Sequence, residues 1–273
     1  MAEKQEGRTG KFPGGKPGVY LAAAVLAFIA LVIAVYIFRD TTIEGEADFG
    51  PPGDAVEDLR KAAEEARAFL KITPGAKVAE GEPSLARYWE CHHVEIADTL
   101  EGVAAQVEEG LCDYVVIDSL WVRRHAPGLK TLITGVDPLP GAGLVYRRYF
   151  TQAEKLISVY RRGAPALRIN PSLTRDNQAK LLTRAAEYKT RGYVEHARQL
   201  FTGLAKAHPN NEYFHLELMK IYIIYGYYDG VSLDRADDEL LRYAFLVPDQ
   251  DIRPLKEAIQ TVRLQHQALW GGL

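Results

Sequence analysis

Residues 185–211 read AAEYKTRGYVEHARQLFTGLAKAHPNN. Gly192-Tyr193 divides two helix-forming runs, Ala197 and Phe201 follow at helical spacing, and Pro209 closes the second run. The spacing predicts two helices joined by a tight turn. Such a unit cannot bury its own apolar face, so it needs a neighbour of the same design. The next segment supplies one. NEYFHLELMKIYIIYG places Tyr222 and Gly226 where Tyr188 and Gly192 stood, and RADDELLRYAFLVPD supplies Ala236, Leu240 and Pro248. Ala236 precedes Pro248 by the same interval as Ala197 precedes Pro209. Between them YYDGVSLD is about five residues longer than the usual turn. A last helix over roughly residues 251–269 is expected as a cap.

These positions resemble the tetratricopeptide repeat, in which Ala185, Tyr188, Gly192, Ala197, Phe201 and Pro209 match the small, aromatic, turn and closing positions. The resemblance implies a protein-binding scaffold whose first helices line a groove. By register the lining comprises Leu182, Ala186, Lys189, Tyr213, Leu216, Lys220 and Ile223. Variants of the family that grip a C-terminal carboxylate use lysine and asparagine where this chain has Leu182 and Ala186, so that mode is not expected. A mixed apolar and basic groove fits an extended segment or a helix of a partner. The alternative is that these residues pack on the rest of the chain or on a neighbouring subunit.

Upstream the pattern changes. Val56, Leu59, Ala63, Ala66, Phe69 and Leu70 recur at helical spacing before TPGAK stops the helix. KVAE reads as a short strand, PSLARYWECH as helical and HVEIAD as a strand. Leu100, Val103, Ala104, Val107 and Leu111 mark another amphipathic helix. CDYVVIDS is a β-branched run of the kind buried on both faces. GLVYRRYF and KLISVYRR form a hairpin around TQAE. This alternation predicts an α/β domain with a mainly parallel sheet and a C-terminal hairpin. The order resembles the soluble C-terminal tail of membrane glycosyltransferases of the protein-mannosyltransferase and aminoarabinose-transferase type. Those enzymes carry their catalytic carboxylates in a many-helix bundle, so the resemblance implies an accessory domain without the catalyst.

The segment VYLAAAVLAFIALVIAVYIF, Val19–Phe38, has no charge and carries a tyrosine near each end, Tyr20 and Tyr36. Its length suits one transmembrane helix. Lys4, Arg8, Lys11 and Lys16 precede it, whereas Asp40, Glu44, Glu46 and Asp48 follow. The positive-inside rule then places residues 1–18 in the cytoplasm and the bulk of the chain outside, in the periplasm if the cell is Gram-negative.

Chemistry has few footholds. The 273 residues hold 33 Lys and Arg against 36 Asp and Glu, a net charge of −3, which gives no support to general nucleic-acid binding. There is no Gly-x-Gly-x-x-Gly, phosphate-binding loop or Gly-x-Ser-x-Gly. Asp113 and Asp118 flank one strand and read as loop residues. Cys91, His92 and His93 are metal-ligating types, but adjacent strand residues point to opposite faces. Cys91 and Cys112 each precede a strand. A disulfide is reachable if those strands are neighbours and unreachable if another strand lies between them. Arg123, Arg124, Arg147, Arg148, Arg161 and Arg162 form three pairs, read either as a patch for phosphate, glycan or an acidic partner, or as solvated edge charges.

The expected fold is therefore a single transmembrane helix (19–38), a linker (39–55), an α/β domain (56–163), a second linker (164–175) and an all-α tetratricopeptide-like array (176–270). The expected role is a non-catalytic, membrane-anchored scaffold or accessory subunit of a membrane protein complex, requiring no cofactor. A glycan- or lipid-linked-sugar-binding accessory of a glycosyltransferase and a periplasmic chaperone-like factor are the alternatives.

Overall fold

The β-branched run at Tyr114–Asp118 lies at the centre of a sheet, with all five residues buried. The computed structural model describes residues 53–81, 86–136, 138–151, 155–169 and 177–271. Strands β1 (Lys77–Glu80), β2 (His92–Glu95), β3 (Tyr114–Asp118), β4 (Ala142–Phe150) and β5 (Lys155–Arg162) are ordered β2-β1-β3-β5-β4. β1 is parallel to β2 and β3, whereas β5 is antiparallel to β3 and β4. The sheet is thus mixed, not mainly parallel, because the returning arm of the hairpin, β5, is the one that docks on β3.

Helix α1 (Gly53–Leu70) covers one face. Its Ala63, Ala66 and Leu70 pack into a core with Val78, Val116, Ile157 and Val159. Each such Val, Ile or Leu side chain contributes about 1.5–3 kcal/mol by leaving water. The Trp89 indole donates to Ala63 O at 2.8 Å and ties the β1–β2 connection to α1. Helix α2 (Leu100–Glu108) joins β2 to β3, its first turn capped by Thr99. Helices α3 (Ser119–His125) and α4 (Lys130–Thr134) follow β3. Ser158 Oγ and Tyr160 OH donate to the α4 carbonyls of Ile133 and Leu132, which seats α4 on the other face.

A bulge in β4 redirects the following side chains. Leu144 opposes Tyr160, but Tyr146 opposes Val159, so one extra residue sits between them. The usual alternation is inverted at that point. Tyr146 turns toward α1, and Arg147 joins Ser158 and Tyr160 on the α4 face, fully buried.

After β5 the chain runs along β4, with Leu167 N–H donating to Leu144 O. Five helices follow: α5 (Gln178–Thr190), α6 (Val194–Ala207), α7 (Glu212–Gly226), α8 (Gly230–Leu246) and α9 (Arg253–Trp270). Each packs on its successor, and α9 also touches α7. α6 and α8 end alike. His208 has φ −133° and ψ 68°, Val247 has φ −129° and ψ 67°, and each precedes a proline. Gly192 ends α5 with φ +78°, a conformation that glycine adopts without strain. Gly226 has another role: a Cβ there would lie 2.2 Å from Leu233 Cδ2, so the small residue admits the α8 side chain.

No helix among the described residues is long and apolar enough to cross a membrane. The longest, α1 and α9, have 18 residues each and carry charges along their exposed sides, the pattern of helices packed on one face only. The expectation of a transmembrane helix, and the single-pass membrane placement with it, is therefore corrected to a mixed five-stranded sheet with nine α-helices among the described residues. The segment that carried that expectation, Val19–Phe38, lies outside the described residues, as do residues 39–52.

Candidate functional site

Helix α5 buries one residue completely, Ala185, against α6. The opposite side is open and lines a groove of about 610 Å³. Leu182 and Ala186 form its half-buried apolar floor, while Thr183, Glu187, Thr190 and Arg191 make an exposed polar margin. Tyr213, from the first turn of α7, closes the far wall and is 42% exposed. Its ring meets Phe201 edge-on at 6.2 Å, so a buried aromatic holds the exposed one in place. Asn211 fixes the start of α7 by accepting from Tyr213 N–H at 3.1 Å.

Of the residues expected by register, Leu182, Ala186 and Tyr213 share this groove. Lys189 and Lys220 instead converge on Glu217, a buried carboxylate that accepts from both ammonium groups. Burial pushes the Glu217 carboxyl up, but the two lysines outweigh it and hold the pKa below its ordinary value. Two cations on one carboxylate leave one positive charge beside the groove. Leu216 and Ile223 are half-buried on α7 outside its lining. The sequence reading missed Thr183, Glu187, Thr190 and Arg191. The steps of four and three residues from Thr183 through Glu187 to Thr190, on the face of Ala186, were the available signal.

The arginine pairs do not make one surface. Arg147 is buried, Arg148 pairs with Glu65 of α1 at 3.0 Å, and Arg162 pairs with Asp113 at 2.8 Å. Arg124 and Arg161 are exposed, and Arg123 is half-buried. Asp113 also accepts from Lys77 N–H at 3.0 Å, the foremost cause of its lowered pKa, with the Arg162 guanidinium adding to it. Asp118 caps α3 and pairs with Lys155 at 2.6 Å. Both aspartates serve the fold. Cys91 and Cys112 are free thiols, since β1 lies between the strands they precede. Burial pushes both thiols up, away from the reactive thiolate. His92 and His93 are exposed on β2, and no group of three His, Cys, Asp or Glu among the described residues could hold a metal.

The densest polar cluster is where α6 meets β4. Arg147 donates to Ser158 Oγ at 2.8 Å, Thr134 O at 2.8 Å and Gly135 O at 2.6 Å, and lies 3.8 Å from Glu195. Glu195 accepts from Arg198, Gln199 at 2.7 Å and Tyr225 OH at 2.8 Å. Burial pushes the Glu195 carboxyl up, yet bonding to Arg198 and the charge of Arg147 prevail and lower its pKa. A cleft of about 50 Å³ adjoins it, bordered by Arg198, Tyr222, Asp229 and Arg235, with room for little beyond water. Glu195 faces both the Arg147 and Arg198 guanidiniums, a shared buried carboxylate that joins the helical layer to the sheet.

A third hollow, of about 1030 Å³, runs between Pro138–Ala142 and Gly163–Ala166. It is wide, and small side chains make up most of its wall. No family model, no curated protein and no solved structure matches the chain.

Proposed function

We propose that the chain is a non-catalytic scaffold or accessory subunit that binds a partner protein along the α5–α7 groove. The observation that carries this reading is the groove itself: an apolar floor at Leu182 and Ala186, an aromatic wall at Tyr213 and a polar margin, on two adjoining helices. Such a trough suits a peptide segment whose apolar side chains alternate with polar ones. Its charge selects the segment. α5 with Arg191 carries four bases, Lys180, Arg184, Lys189 and Arg191, against one acid, Glu187, and with Lys189 taken up by Glu217 an excess of two positive charges remains. The fitting partner is therefore an acidic segment bearing one or two large apolar anchors. The tetratricopeptide-like pairing of helices, with its recurrent proline-terminated second helix, supports the same role.

Panning a random peptide display library on the purified chain tests this. Enriched peptides should be acidic and contain Leu, Phe or Trp, and Ala186→Arg or Tyr213→Ala should abolish their binding. No enrichment, or enriched peptides indifferent to both substitutions, would refute the groove as a protein-binding site.

A further inference from the structure

The chemistry required of the groove's occupant, negative charge with exposed apolar anchors, is present on the chain itself. α8 packs inward through Leu233, Ala236 and Leu240, all buried. Asp234, Asp238, Leu241 and Phe245 recur at steps of four, three and four residues and form a stripe on the opposite side. Leu241 is 65% exposed and Phe245 is 85% exposed, the most exposed of the large apolar residues described. Two such side chains one turn apart on a helix are the usual anchors of a helix laid in a groove. The charge also matches. Residues 234–251 hold six acids, at 234, 237, 238, 239, 249 and 251, against Arg235 and Arg242.

Asp234 and Asp237 are already paired with Arg263, at 3.0 and 2.7 Å, Glu239 with His215 and Arg242, and Asp251 with Arg253 at 2.9 Å. Asp238 and Asp249 are exposed and flank the apolar pair. The stripe points away from the side of α8 that packs on α7, so it cannot fold back into the groove of its own chain.

We propose that the outward face of α8 in a second copy of this chain occupies the α5–α7 groove, with Leu241 and Phe245 over Leu182, Ala186 and Tyr213. The inference rests on the groove reading above and names its occupant. The contact is head-to-tail: each copy offers one groove and one stripe, so association continues from copy to copy into a ring or an open chain. Exposed charge attraction of this kind weakens as salt shortens its range.

Two substitutions at solvent-accessible positions separate the halves of the contact. Phe245→Asp removes the anchor and keeps the groove, whereas Ala186→Arg fills the groove and keeps the stripe. Sedimentation velocity on the full chain should show mass rising with concentration, and less so in 0.5 M than in 0.05 M salt. Each variant alone should lose at least tenfold in association constant, with an unchanged circular-dichroism spectrum. Mixed together, they should form a dimer and stop, since one functional groove–stripe contact remains. A benzoylphenylalanine placed at Thr190 should cross-link to the α8 peptide of a second copy, and Phe245→Asp should remove that adduct. The proposal is overturned if the wild type is monomeric throughout, if the adduct maps elsewhere or is absent, or if assembly persists in Phe245→Asp. A monomeric chain that still enriches acidic peptides would refute self-occupancy alone. A chain that enriches none, with assembly indifferent to Ala186→Arg, would refute the groove reading as well.

Discussion

Replacing Glu195 by alanine should be among the most damaging single substitutions in this chain. The carboxylate is 1% exposed and accepts from Arg198, Gln199 and Tyr225 while facing the Arg147 guanidinium. Truncation strands a fully buried arginine without its nearest counter-charge and leaves the Tyr225 hydroxyl without an acceptor. Breaking one side of a buried ion pair costs ~3–5 kcal/mol. In a domain of this size, that lowers the melting temperature by roughly 6–20 °C, at about 2–4 °C per kcal/mol. The pair joins α6 to β4, so the loss should also loosen the helical layer from the sheet. Urea unfolding followed by tryptophan fluorescence and far-ultraviolet circular dichroism would register both effects. Trp89 reports the sheet side and Trp270 the last helix. The double variant Arg147→Met with Glu195→Met should recover only the part of the loss that comes from the stranded Arg147 guanidinium, because Arg198, which also donates to Glu195, still loses its acceptor. A Glu195→Ala cost below ~1 kcal/mol, or a double variant worse than the single one, would refute the assignment of this cluster as the joint.

Two further outcomes follow from neighbouring residues. Gly192→Ala should cost roughly 2–4 kcal/mol in chemical denaturation: φ is +78°, and the new Cβ would lie 2.3 Å from Tyr149 O; an unchanged midpoint would show that the turn relaxes freely. His196 is buried among Phe69, Tyr188 and Tyr193 with Nδ1 unpartnered, and burial lowers its pKa to about 4, with Glu195 opposing and Arg184 reinforcing the shift. The unfolded chain binds that proton more readily, so stability is complete above about pH 6.5 and falls by ~3 kcal/mol as pH drops through 4. His196→Phe should flatten the stability profile across that window, and an unaltered slope would refute a neutral buried imidazole.

Some of this architecture was legible before the fold was known. The run Tyr114–Asp118 could hardly be other than a strand buried on both faces, and the second-helix prolines, Pro209 and Pro248, mark real helix ends. What could not be read was the placement of side chains by non-local geometry. An uninterrupted strand would put Arg148, not Arg147, on the face of Leu144. The bulge reverses that, and no local signal in GLVYRRYF announces it. The mainly parallel sheet failed for a similar reason, because hairpin patterning does not reveal which arm will dock on β3. Within the groove, register found Leu182, Ala186 and Tyr213, yet it could not foresee that Lys189 and Lys220 would both turn to Glu217. The pairing of Glu195 with Arg147, 48 positions earlier in the chain, leaves no trace in either helix or strand periodicity.

The outer edge of β4 has a final implication. An edge strand ordinarily presents free amides and carbonyls to any passing chain, and many proteins discourage that with charge or brevity. Here Leu144 O accepts from Leu167 N–H, while Tyr149 N–H donates to Gly192 O. Gly143 lets this covering come close, since a Cβ there would lie 2.4 Å from the backbone of Pro165. This edge of the sheet is thereby fenced by its own downstream chain. The protection of β4 against strand recruitment is topological, and the route into the helical array is also the guard rail of that edge.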